Sequence, residues 1–247
     1  MLESTGRVRP AEARLEARPL YLQARDLLKQ RIIDGVWAPG QYLPSEMRLA
    51  EELNVSLGTI RRAMEELVEQ GLLERFHGRG TRVAAHSSDR ARFRFLRFGA
   101  EGRFAPMGRV RARRVVPASA EEARALDIAP GAPSIVLDRE RREGERVRIV
   151  ERIALPAALF ARLELPLDTD LDEELYVLYQ RQCGVTVVRT HDEVSAEGAD
   201  AETARRLGTA PGAPLLKVTR TAFALDGRPV EFRTSRAAGL HYGVDLE

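Results

Sequence analysis

Leu43-Pro44-Ser45-Glu46-Met47-Arg48-Leu49-Ala50, followed by Ser56-Leu57-Gly58-Thr59-Ile60-Arg61-Arg62 and then His77-Gly78-Arg79-Gly80-Thr81, is the stretch that decides the N-terminal fold. Ser45 suits the position before a helix, where its hydroxyl accepts from a backbone N–H, and Glu46 then lies near the positive helix end. Leu49, Ala50 and Leu53 point inward from that helix. Asn54-Val55-Ser56 makes a turn, and Ser56 caps a further helix running to about Gln70, with Ile60, Ala63, Met64, Leu67 and Val68 on its apolar face.

Working outward, Pro19 to Gly35 has helical spacing, with Leu20, Ala24, Leu27, Leu28 and Ile32 on one stripe. Pro19 suits a first helical turn, and Gly35 and Pro39-Gly40 stop the helix. On the other side, Leu72-Leu73-Glu74-Arg75 and Thr81-Arg82-Val83 read as two short strands with His77-Gly78-Arg79-Gly80 at the tip. Helix, turn, helix and basic hairpin in this order make a module that grips duplex DNA. Ser56, Thr59, Arg61 and Arg62 occupy the first turns of the third helix, where hydroxyls and guanidinium groups reach both phosphates and base edges. Arg48, His77, Gly78, Arg79 and Thr81 complete the candidate contacts, since glycine allows close approach of backbone to phosphate. A helical hairpin with merely solvated charges is the competing account.

The chain has 247 residues, enough for two domains, and a formal net charge of only +2. The distribution matters more. Arg79, Arg82, Arg90, Arg92, Arg94, Arg97, Arg103, Arg109, Arg111, Arg113 and Arg114 face only Asp89 and Glu101, and the chain after about Val115 is net acidic. Arg109, Arg111 and Arg113 are either phosphate contacts or the exposed face of a strand. Met1 to Arg18 is polar and reads as a mobile arm, residues 19–84 as the winged helix, 85–92 as a small polar linker, and 93–247 as a second domain whose first strand alternates Phe93, Phe95 and Phe98 with arginines.

An internal repeat organises that second domain. Ala118 to Leu126, then Ala129-Pro130-Gly131-Ala132-Pro133 and Arg139, is echoed about 81 residues on by Ala199 to Leu207, then Ala210-Pro211-Gly212-Ala213-Pro214 and Arg220. Each copy reads as a helix capped by Ser119 or Asp200, a turn, a strand, and a hairpin turn at Glu143-Gly144 or Asp226-Gly227 into a second strand. The fold class is α+β: a winged helix, then one antiparallel sheet with its helices on one face. Further helices are expected to open at Leu155-Pro156 and to run from Asp172 to about Gln182, with Asp168, Asp170 and Asp172 charging and capping the latter.

The N-terminal residues resemble the GntR family of bacterial transcription factors over about Pro19 to Val83. The resemblance implies DNA contacts at Ser56, Thr59, Arg61, His77 and Gly78. Met47 and Leu57 depart from it, standing where arginines are customary, so the operator is expected to differ from the family's commonest ones or to be bound more weakly. The rest, from about Phe93 to Tyr242, resembles the UTRA domain of the HutC branch. Arg139-Glu140-Arg141, Glu151, Leu175-Tyr176, Gly184, Asp226-Gly227-Arg228-Pro229-Val230-Glu231, Gly239 and Tyr242 carry that likeness. It implies a chorismate-lyase-like fold and a small-molecule effector at Arg139, Arg141, Glu151, Tyr176 and Glu231. An Arg-x-Arg pair projects two guanidinium groups from one strand face, suited to carboxylate or phosphate. Glu174, where the family has serine, would repel phosphate and could neutralise Arg139 or Arg141. The expected effector is therefore a small uncharged or amine-bearing metabolite, with at most one carboxylate, rather than a sugar phosphate.

No catalytic residues, metal ligands or cofactor are expected. His77, His86, His191 and His241 lack ligand spacing, Asp168, Asp170 and Asp172 lack the glycine and closing glutamate of a calcium loop, and Cys183 is alone, as suits a reducing cytoplasm. No apolar run approaches the roughly 20 residues that span a bilayer. The expected partners are a double-stranded DNA operator, a small-molecule effector and a second copy of the chain, with no membrane. A lyase-like enzyme and a DNA-binding protein without an effector are the alternatives.

Overall fold

The computed structural model describes residues 18–85, 98–99 and 106–243. The N-terminal arm apart from Arg18, the linker apart from Ala85, the alternation of Phe93 and Phe95 with arginines, and Arg90, Arg92, Arg94, Arg97 and Arg103 lie outside the described residues. The chain divides into two compact units.

In the first unit, helices α1 (Leu20–Ile33), α2 (Glu46–Leu53) and α3 (Leu57–Glu69) precede strands β1 (Leu73–Phe76) and β2 (Gly80–Val83), which pair as a wing. Both serine caps form: Ser45 Oγ accepts from Arg48 N at 3.2 Å and Ser56 Oγ from Thr59 N at 3.1 Å. Asn54 takes the left-handed conformation that turns α2 into α3. The core comprises Ala24, Leu28, Ile32, Trp37, Leu49, Ala50, Ile60, Ala63, Met64, Leu67, Leu72 and Leu73. The α1 stripe is narrower than its spacing predicts. Leu27 is exposed because it lies off the buried four-residue series Ala24, Leu28, Ile32, and Leu20, which is on that series but is the first residue of the helix, is exposed as well. Leu53 and Val68 are only partly buried.

The second unit is a six-stranded antiparallel sheet in the order β4-β5-β6-β9-β8-β7, built from β4 (Met107–Pro117), β5 (Pro133–Glu143), β6 (Arg146–Pro156), β7 (Val187–Gly198), β8 (Pro214–Ala224) and β9 (Pro229–Ala237). A separate pair joins β3 (Phe98–Gly99) to β10 (His241–Tyr242). The repeat is real at the level of single hydrogen bonds. Ala118 N donates to Ala132 O and Ala199 N to Ala213 O. Gly131 N donates to Ala118 O and Gly212 N to Ala199 O. Helix α4 (Ala120–Leu126) carries a full capping box between Ser119 and Glu122, and Asp200 caps α6 (Ala201–Leu207) by accepting from Thr203 N at 2.7 Å. The two hairpins, β5–β6 and β8–β9, meet along β6 and β9, and each helix packs over a strand of the opposite copy, α4 on β9 and α6 on β6.

The helices do not share one face. Helices α4 and α6 pack over Val136, Ala154, Phe232, Val150 and Leu215, whereas α5 (Leu175–Cys183) covers Ile135, Leu137, Ile153, Leu155 and Ala222 on the other side. Strand residues alternate between faces, so these two sets are the odd and even positions of the same strands. Two helix expectations also fail. Residue Pro156 ends β6, and turns follow it that seat Phe160 and Leu163 in the core. Helix α5 begins at Leu175, with Glu174 as its N-cap but without a side-chain cap bond. The aspartates expected to cap it serve a tertiary purpose instead: Asp170 binds Arg109 at 2.9 Å and Asp168 binds Arg111 at 2.7 Å, strapping their loop to β4.

Candidate functional site

The first unit presents a polar surface at the start of α3. The Ser56 and Thr59 hydroxyls share a hydrogen bond of 2.8 Å, which fixes both side chains against the helix end. Arg61 is exposed, and its Nε donates to Glu46 Oε2 at 3.1 Å, while Arg75 Nη2 donates to Glu46 Oε1 at 2.9 Å. One carboxylate thus ties α2, α3 and β1 together at the surface. Arg48, His77 and Arg79 are exposed, and Gly78, at φ +70, supplies the left-handed turn of the wing tip. Two of the expected contacts look different in three dimensions. Arg62 lies with its guanidinium 3.9 Å over the Tyr21 ring, a cation–π contact that holds it against α1. Thr81 is a correction: it is 6% exposed, turned into the unit, so its side chain has no surface to offer DNA. Met47 and Leu57, which depart from the family pattern, are both exposed at the starts of α2 and α3.

On the face of the second sheet under α5 lies a buried polar network. Cross-strand register brings Arg139 opposite Glu151 and Glu151 opposite Ser235. Arg139 Nε donates to Glu151 Oε2 at 2.5 Å, Ser235 Oγ donates to Glu151 Oε1 at 3.0 Å, and Arg233 Nη1 lies 3.5 Å from the same carboxylate. Arg233 Nη2 reaches Glu231 Oε2 at 2.7 Å, and the Tyr176 and Tyr179 hydroxyls donate to Glu231 at 3.0 and 2.8 Å. Arg141 forks onto Glu174 at 2.7 and 3.3 Å, which explains why Glu174 does not cap α5. Further along the sheet Arg220 forks onto Asp192 at 2.7 and 2.6 Å, and the Tyr242 hydroxyl donates to Asp192 as well. All six expected effector residues therefore come together on one face, joined by Arg220, Arg233, Asp192, Tyr179, Ser235 and Tyr242. Two signals could have found these. Arg220 is the repeat equivalent of Arg139, and Arg233 and Ser235 follow Glu231 at the two-residue period of a strand face.

The electrostatics are closely matched: arginines 139, 141, 220 and 233 against carboxylates 151, 174, 192 and 231. Burial pushes the Glu151 carboxyl up, but Arg139, Arg233 and Arg141 outweigh it and hold the group well below the usual carboxylate range. Burial likewise opposes ionisation of Asp192, and the hydrogen-bonded Arg220 overrides it downward. Burial raises the Tyr176 and Tyr179 hydroxyls, with the Glu231 charge adding to it, so both stay protonated donors. Donors remain in surplus. Arg139 Nη2, Arg141 Nε and Arg233 Nε are buried and have no hydrogen-bond partner among the described residues. The network offers N–H groups to an incoming oxygen acceptor while having little net charge of its own.

Residues 20–83 match the family model of bacterial regulatory proteins of the gntR family, and residues 102–242 match the UTRA domain. The chain is 28% identical to the HTH-type transcriptional repressor NagR of Bacillus subtilis over 91% of this chain and 94% of that protein. It is 31% identical to an uncharacterised HTH-type transcriptional regulator of Rhizobium meliloti over 92% of this chain and 94% of that one. The ligand-binding domain of a GntR-family regulator from Bordetella bronchiseptica superposes with a TM-score of 0.58 at 30% identity, covering 62% of this chain and 98% of that domain. With the two family models matched in this order along the sequence, the chain belongs to the GntR family, in its UTRA-bearing HutC branch, as a ligand-responsive DNA-binding transcriptional regulator.

Proposed function

We propose that the protein is a cytoplasmic homodimeric repressor that releases a two-fold operator when a small polar metabolite enters the network of the C-terminal unit. Three buried guanidinium N–H groups without partners carry this reading, since an unmet buried donor costs about 1–3 kcal/mol and favours any ligand that supplies an acceptor. Arg139, Arg141, Glu151, Glu174, Tyr176 and Glu231 form the binding set, with Arg233 beside them. The balance of charges favours a ligand that is neutral or zwitterionic and rich in oxygen. A sugar phosphate would meet Glu174 already seated on Arg141 and would leave a net negative charge in a buried site. Hexosamine phosphates are therefore expected to leave the melting temperature unchanged, and a strong rise would overturn this effector class.

On the DNA side, Ser56, Thr59, Arg61, Arg48, His77, Gly78 and Arg79 form the contact set, with Arg62 contributing only if it leaves Tyr21. Two copies would read two half-sites, because closed two-fold dimers match palindromic operators. The relative named a repressor supports that sign of regulation. The effector acts only if it binds one arrangement of the paired heads more tightly than the other. A regulator of this kind needs no catalysis. Arg61→Ala is expected to weaken operator binding by roughly tenfold or more while ligand-induced stabilisation persists. Unchanged operator affinity in a gel-shift titration would remove Arg61 from the interface.

A further inference from the structure

Leu57 is the first residue of α3 and Met47 the second of α2, and their exposures are 41% and 65%. Both sit in helix-opening turns otherwise lined by polar groups: the Ser45 and Ser56 caps, Glu46 and Arg48. Beside Leu57, a Cβ built on Gly58 would meet only Ser56 Oγ, at 3.8 Å, so the first turn of α3 is open in front. Packing within the unit does not account for either side chain, because the apolar core is filled by Ile60, Met64, Leu67 and Leu49. Meanwhile Arg61, the guanidinium one turn along α3, is held at its Nε by Glu46.

A recognition helix presents its N-terminal residues to base edges in the major groove. Guanine shows two acceptors there and is read by donors, which leucine and methionine lack. Thymine shows the one apolar group of the groove edge, its C5 methyl. We propose that Leu57 and Met47 read thymine methyl groups, so that the operator carries thymine where the opening turns of α3 and α2 meet it. This rests on the regulatory reading above and specifies the sequence class that the reading head selects.

The test begins with selection of bound duplexes from a randomised pool by the full-length protein. Each thymine of the selected site is then replaced singly by deoxyuridine, which removes the methyl and leaves the pairing intact. Loss of one buried methyl is expected to weaken binding about three- to fivefold at one or two positions per half-site. Leu57→Ala should erase the difference at one such position and Met47→Ala at another; both are surface changes, and circular dichroism would verify the fold of each variant. Equal affinity for thymine and deoxyuridine at every position overturns the proposal, as does selection of guanine at the positions whose recognition Leu57→Ala and Met47→Ala alter. Failure to select any sequence would instead sink the DNA-binding reading itself, and this proposal with it.

Discussion

Glu46 in the N-terminal unit and Glu151 in the C-terminal unit each gather arginines, and they differ chiefly in how much water surrounds them. Glu46 holds Arg61 and Arg75, whose side chains are 54% and 43% exposed. Glu151 lies within ion-pair range of Arg139, Arg141 and Arg233, and is itself 2% exposed. Exposed pairs contribute about 0–1 kcal/mol, because water screens them and long side chains lose freedom in making them. Removing one partner of a buried pair costs about 3–5 kcal/mol, because a desolvated charge is left behind. Identical chemistry therefore does two jobs. At the reading head the arginines stay available to phosphate or bases at small cost. Within the sheet they are locked by their buried carboxylate partners.

Glu151→Ala should break the buried half of this contrast most severely. It strands Arg139, which burial already drives toward its neutral form and which Glu151 is the chief group opposing. The C-terminal unit is expected to lose about 3–5 kcal/mol, seen as faster hydrogen exchange at the Leu137 and Ile153 amides, which flank the site on neighbouring strands. Exchange in α3 should not change if the loss is confined to that unit. A cost below about 1 kcal/mol would mean that the network is wetter than its burial indicates.

How much of this is legible in the sequence divides along the same line. The caps at Ser45, Ser56, Ser119 and Asp200 act within three residues, so their positions could be read directly and the structure forms each bond. The repeat was equally readable, since it is a matter of matching turns. The inward direction of Thr81, the stacking of Arg62 on Tyr21, and the ion pairs of Asp168 and Asp170 depend on residues that only the fold brings near. The same is true of which sheet face a helix covers: spacing reveals that α4, α5 and α6 have apolar sides, but strand parity reaches both faces equally. For the network, Arg139 and Glu151 were identifiable from resemblance, whereas Asp192 and Tyr242 meet Arg220 only through the sheet order and the chain end that follows it.

Glu46→Gln sharpens the exposed half of the comparison and should have the smallest effect on stability. The change keeps the side chain's length and a hydrogen-bonding oxygen while deleting the charge that restrains Arg61 and Arg75. Thermal unfolding of the N-terminal unit is expected to shift by no more than about 1 kcal/mol. DNA binding should respond differently. With one negative charge removed from the surface proposed to face DNA, non-specific duplex affinity should rise a few-fold and its salt dependence should steepen. Operator affinity should gain less, because Arg61 loses the partner that orients it, so the ratio of specific to non-specific binding falls. Competition titrations at two salt concentrations measure that ratio directly. If Glu46→Gln instead destabilised the unit by more than about 2 kcal/mol with the ratio unchanged, Glu46 would be a structural tie like Glu151, and solvent exposure would not be what separates the two ends of the molecule.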